Sequence, residues 1–211
     1  MKKTMAVLAI GVLFSLWLCP IASFASEIRG GLKAGLNVAS FHGADVSFEF
    51  FFDMPAKSKL GPVGGGFITF NLSTNLAIQA EALYSVKGAK ASAPADFEIS
   101  ATLGYLEIPI LVKIMIPTQA SVKPCLFVGP ALAVNLSHKY KQVDNGVPSE
   151  GDLEGIKSTD LGAVFGAGLD IGRNIRTDLR YALGFAKIFQ FEGQTYDVKN
   201  GAFSLMIGYC F

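Results

Sequence analysis

The feature that most constrains this chain is a period-two alternation that returns along its length. Asn200–Phe211 shows it plainly. Phe203, Leu205, Ile207, Tyr209 and Phe211 fall on one side, and Ala202, Ser204, Met206, Gly208 and Cys210 on the other. Successive residues of a strand point to opposite faces, so one face is large and apolar while its opposite is small or polar. A half-buried strand of a soluble sheet carries charged residues opposite its apolar face. A large face in lipid and a small face in a crowded lumen fit this strand better.

The same test succeeds elsewhere. Leu106, Ile108, Ile110, Val112 and Ile114 oppose Tyr105, Glu107, Pro109, Leu111 and Lys113. Thr177, Leu179, Tyr181, Leu183 and Phe185 oppose Arg176, Asp178 and Arg180. Ile78, Ala80, Ala82, Tyr84 and Val86 oppose Gln79, Glu81, Ser85 and Lys87. Eight such segments are expected, near 29–41, 62–71, 76–87, 101–116, 121–137, 159–171, 175–186 and 200–211. Short links at 72–75, 117–120 and 172–174 alternate with long ones at 42–61, 87–100, 138–158 and 187–199. Short turns on one side and long loops on the other are the pattern of an outer-membrane barrel. In lipid every backbone polar group needs an internal partner, so the sheet must close. The expected fold is an all-β, eight-stranded antiparallel up-and-down transmembrane barrel, with both termini on the periplasmic side. A soluble barrel with an apolar lumen fits less well, because the charges collect on the inward parity.

Composition narrows the function classes. Of 211 residues, 51% are hydrophobic and only 17% charged, which argues against disorder. A net charge of +1 with no long basic run argues against a nucleic-acid partner. Lys2 and Lys3 precede a largely apolar run, Met5–Leu18, too short to span a bilayer as a helix. With Ser23-Phe24-Ala25 it reads as a signal peptide over residues 1–25, leaving a barrel domain over 26–211. The rival lipoprotein reading at Cys19 is weakened by Leu18 before it and Pro20 after it. Beyond the leader no stretch of 18 apolar residues remains to cross as a helix.

Several segments carry a family resemblance: Gly31-Leu32-Lys33-Ala34-Gly35-Leu36-Asn37, Tyr105-Leu106-Glu107-Ile108-Pro109-Ile110-Leu111-Val112-Lys113, Lys123-Pro124-Cys125-Leu126-Phe127-Val128-Gly129-Pro130 and the terminal Ile207-Gly208-Tyr209-Cys210-Phe211. Together they resemble the PorT-like outer-membrane β-barrel family, often labelled the porin family. The resemblance spans nearly the whole mature chain and departs at Cys125, where an aromatic is expected. It implies an outer-membrane location and no chemistry. The terminal face of Phe203, Leu205, Ile207, Tyr209 and Phe211 resembles the signal read by the barrel-insertion machinery. That machinery and outer-membrane lipid with lipopolysaccharide are therefore the expected partners, together with an unidentified loop-binding partner.

Inward parity collects Glu81, Glu107, Lys113, Lys123, Asp160, Asp170, Arg176, Asp178 and Arg180. An eight-stranded barrel is just wide enough for its side chains to fill it. These charges then form a network that plugs the lumen, or line a narrow polar path for ions or small solutes. His42 and His138 read as exposed loop residues. Ser137 beside His138 faintly suggests a surface lipid-modifying enzyme, but adjacent strand residues face opposite ways. No catalytic constellation, metal site or cofactor is expected. Cys125 and Cys210 lie on strands three apart, too far for a disulfide, and should be free thiols. Phe48, Phe50, Phe51 and Phe52 in the first long loop form either a girdle at the lipid boundary or a contact patch for a partner. The 138–158 loop reads as polar and flexible, with calcium binding a weak alternative. Gly64-Gly65-Gly66 lacks the lysine and helix of a phosphate loop and is read as a site for a strand kink or bulge.

Overall fold

The structure is a computed structural model that describes residues 28–43, 57–93, 97–191 and 193–211. The leader and Phe48, Phe50, Phe51 and Phe52 lie outside the described residues. The strands are β1 (Ile28–His42), β2 (Lys57–Asn71), β3 (Leu76–Ala93), β4 (Phe97–Met115), β5 (Val122–Asp144), β6 (Val147–Asp152), β7 (Thr159–Ile171), β8 (Ile175–Gly184), β9 (Phe189–Phe191), β10 (Gln194–Tyr196) and β11 (Lys199–Cys210). Neighbouring strands pair in the order β4-β3-β2-β1-β11-β8-β7-β5, and β4 also pairs with β5. Eight antiparallel strands therefore close into a ring, which removes the edges that lipid could not satisfy. The remaining three are additions at the extracellular end. β6 extends β5 as a hairpin, and β9 pairs with β10.

The pleat sorts the side chains as the alternation requires. Leu32, Leu36, Ile110, Leu126, Leu179 and Leu205 face outward and are exposed. So are Phe203, Ile207, Tyr209 and Phe211. Tyr181 packs between Phe165 and Phe203, with ring centroids 5.7 and 4.5 Å away. Aromatic rings of this kind belong at a membrane boundary. No helix among the described residues is long and apolar enough to cross a membrane.

Four local expectations need correction. The 87–100 and 138–158 links are largely strand: β3 runs to Ala93, β4 begins at Phe97, and β5–β6 is a hairpin. Asn145 (φ 48°) and Gly146 (φ 79°) make its two-residue turn, since both positions need positive φ there and Asn-Gly supplies it. His42 and His138 consequently end or lie within strands and are half-buried. The bulge of β2 falls between Ser58 and Val63, while Gly64-Gly65-Gly66 stay in regular register with β3.

A closed barrel with a lipid-facing belt should resist SDS until boiled. On unboiled gels the refolded protein is expected to run apart from its boiled form. A band that boiling does not move would count against this fold.

Candidate functional site

Among the described residues, charge is concentrated out of water in the barrel interior. At its centre Lys33 and Arg180 meet Glu81 and Asp178, and all four are at most 5% exposed. Lys33 Nζ lies 2.9 Å from Glu81 Oε1 and 2.5 Å from Asp178 Oδ2. Arg180 Nη1 donates to Glu81 Oε2 at 2.7 Å and Nη2 to Asp178 Oδ2 at 2.8 Å. Two positive and two negative groups thus cancel, as buried ions must. β3 and β8 stand four steps apart in the eight-strand ring, so the Glu81–Arg180 pair crosses the full lumen. Lys33 comes from β1, midway between them. The Phe67 ring lies under Lys33 at 5.0 Å, and Phe127 lies under Arg180 at 5.3 Å. Gly31 leaves room for Phe67: a Cβ there would sit 2.4 Å from the ring.

Two further layers cross the lumen. Toward the periplasm, Arg176 Nη1 donates to Thr69 Oγ1 at 2.8 Å, and Arg176 and Lys113 approach Asp170 at 3.6 and 3.5 Å. Toward the outside, Lys87 pairs with Glu107. Asn200 Nδ2 donates to Asp160 Oδ2 at 2.9 Å and to the Tyr105 hydroxyl on the opposite wall at 3.0 Å. A cavity of about 20 Å³ remains beside Lys87, Glu107 and Asp160, room for roughly one water.

Above that layer the lumen turns apolar. Phe41, Ala89, Ala101, Leu103, Tyr105, Ala133 and Ile188 form a buried cluster, backed by Leu153, Ile156, Phe189 and Val198. Ile188 comes from the segment after β8 and is fully buried. Its backbone is held on both sides, by Lys157 N–H to Ile188 O (2.9 Å) and Ile188 N–H to Val198 O (2.9 Å). Among the described residues, packed apolar side chains fill this end of the lumen.

Of the nine charged residues expected inside, eight lie in these layers. Lys123 does not: it is exposed at the start of β5, beside Asp170 in the ladder. Its parity is inward, but it stands at the periplasmic rim where water reaches it. Lys33 and Lys87 were absent from the expected set. Their inward parity was the available signal, with Lys33 between Leu32 and Ala34, and Lys87 on the Glu81 face. Ser137 and His138 face opposite ways, paired with Gly104 and Leu103 respectively. His138 Nδ1 lies 3.0 Å from Asn135 Oδ1. Cys125 and Cys210 are buried and free. No cluster of three or more metal-binding side chains occurs among the described residues.

Comparison with known proteins adds a family match. Residues 21–190 match the model of the outer membrane protein beta-barrel domain. No curated protein matches the chain. Among solved structures the chain is similar to Ail, the attachment invasion locus protein of Yersinia pestis, at 14% identity over 88% of this chain and 99% of that one (TM-score 0.47). It is also similar to Neisserial surface protein A, at 16% identity over 88% and 99% (TM-score 0.46). A third is OprG from Pseudomonas aeruginosa, at 11% identity over 87% and 94% (TM-score 0.44).

Proposed function

Because this chain belongs to the outer membrane protein beta-barrel domain family, we propose that it is a closed-lumen barrel whose work is done by its extracellular crown, without catalysis or bulk conduction. Within the family, the Tyr105–Lys113 segment favours the PorT-like group. The observation that carries the reading is the lumen filling: Arg180 and Glu81 join opposite walls at 2.7 Å, and Ile188 is packed above them. An ion crossing this lumen would have to break paired charges and then enter an apolar plug. Either step costs several kcal/mol. The described part of the crown is built from the extended ends of β3 and β4 and from the β5–β6 hairpin, and suits display of a fixed surface.

Planar-bilayer recording of the refolded mature chain tests this, with heat-modifiable mobility as the check on folding. Folded protein is expected to leave the bilayer silent. Discrete steps from the wild type, altered in size by Arg180→Ala or Glu107→Ala, would overturn the closed lumen and make the protein a narrow polar channel.

A further inference from the structure

We propose that the outer face of the crown on β2, β3, β4 and β5 is a binding site for the phosphate groups of anionic outer-leaflet lipid. The proposal rests on the outer-membrane reading above and adds, for the lipid partner expected there, the chemical group recognised and the residues that hold it. Directly opposed residues of an antiparallel ladder share a face, with Cβ atoms about 4.5–5.5 Å apart. The ladder sets Lys57 opposite Lys90, Lys90 opposite Ser100, and Ser100 opposite Lys141. One pleat nearer the membrane, Thr102 stands opposite Lys139. The β2 bulge brings in a fifth ammonium: Lys59 Nζ donates to Ser100 Oγ at 2.6 Å and also to Thr102.

The position of this face matters as much as its charge. Ser100 and Thr102 continue the outward parity of Leu106, Ile108 and Ile110, which form part of the lipid belt. The lysines therefore stand on the outward face of the wall, on the extracellular side of that belt, and the proposal places them at headgroup height. Three carboxylates are also present. Glu98 lies 3.3 Å from Lys90, and Glu150 and Asp152 stand opposite Lys141 and Lys139. Lys57 and Lys59 instead meet hydroxyls, with Lys57 Nζ 2.7 Å from Ser92 Oγ. Like charges directly opposed destabilise a sheet. Burial and then the Lys90 ammonium push Lys59 below the ordinary lysine range, against the pull of Glu98. A doubly charged phosphate among Lys57, Lys59 and Lys90 would relieve that repulsion, and Ser92 and Thr102 offer it hydroxyl donors, while Ser100 is buried beneath Lys59.

The test refolds the full chain into phosphatidylcholine vesicles containing increasing lipid A and reads the urea midpoint of the folded, heat-modifiable band. Lipid A is expected to raise the midpoint of the wild type. In K57Q/K59Q/K90Q the half-saturating lipid A fraction should move up by at least about tenfold, since each basic residue near an anionic surface contributes about 1 kcal/mol. The midpoint in phosphatidylcholine alone should not fall. The K57R/K59R/K90R counterpart folds with its charge intact and should keep the rise. Equal rises in the wild type and the glutamine variant would overturn the site, as would loss of the rise in the arginine variant. A rise reproduced by inorganic phosphate without lipid A would overturn the lipid assignment. Absence of a heat-modifiable band in every vesicle would sink the outer-membrane reading itself, and the site with it.

Discussion

Glu81→Ala is expected to lower the unfolding free energy in vesicles by about 3–5 kcal/mol, the usual effect of removing one partner from a buried ion pair. Glu81 accepts from Lys33 Nζ, Arg180 Nη1 and Nη2, and Gln79 Nε2. Its loss leaves two buried cations facing Asp178 alone. Lys33 and Arg180 cannot turn to water, because the walls around them are packed and Phe67 and Phe127 lie beneath them. Urea titration followed by far-UV circular dichroism measures the effect. The Arg180→Ala and Glu81→Ala pair should couple by about 0.5–3 kcal/mol in a double-mutant cycle. A Glu81→Ala protein within about 1 kcal/mol of the wild type would mean that water already reaches the centre of the lumen. The network is not thereby a net source of stability, since an apolar filling of the same shape can serve as well. Its contribution is to join opposite walls in a fixed register.

The second large effect is expected on the other face of the sheet. Leu205 points outward near the middle of the apolar band, between Leu36 and Leu179 in the ladder. Leu205→Arg should cost about 2–4 kcal/mol in vesicles, the depth-dependent penalty for a cation in hydrocarbon. One residue earlier, Ser204 points inward and donates to Asn37 Oδ1 at 2.7 Å. Ser204→Ala should cost about 0.5–1.5 kcal/mol, the net value of one hydrogen bond. The same urea titration reads both. If Leu205→Arg proved harmless, the large face would not be in lipid, and the inside and outside of this barrel would be exchanged.

Much of the extracellular half was written in the sequence but in a different signal from the one that located the barrel. Asn145-Gly146 announces a two-residue hairpin turn, yet the surrounding Asp144, Ser149, Glu150 and Asp152 read as a polar loop. The β5–β6 hairpin is exposed or half-exposed on both faces, so its alternation loses its apolar half and the period-two test fails there. Ile188 and Phe189 likewise sat in an expected loop. Ile188 is buried and Phe189 partly buried because that loop folds inward and pins itself to the 155–157 segment.

The parity of each side chain is a local property. It follows from the pleat, and the chain alone determined it: eight alternating segments, a lipid face, an inward charged face, and enough turn residues to join them. Which inward groups meet is not local. Lys33 and Asp178 are 145 residues apart, and Arg180 and Glu81 are 99 apart. They touch only because closure sets β3 across from β8 and β1 between them. Lys123 shares their parity but stands at the rim, where water takes the place of a partner. Closure and stagger of the ring thus decided the pairing, the plug and the lysine row. These depend on which strand stands where around the barrel, and period-two patterning is the same for every such arrangement.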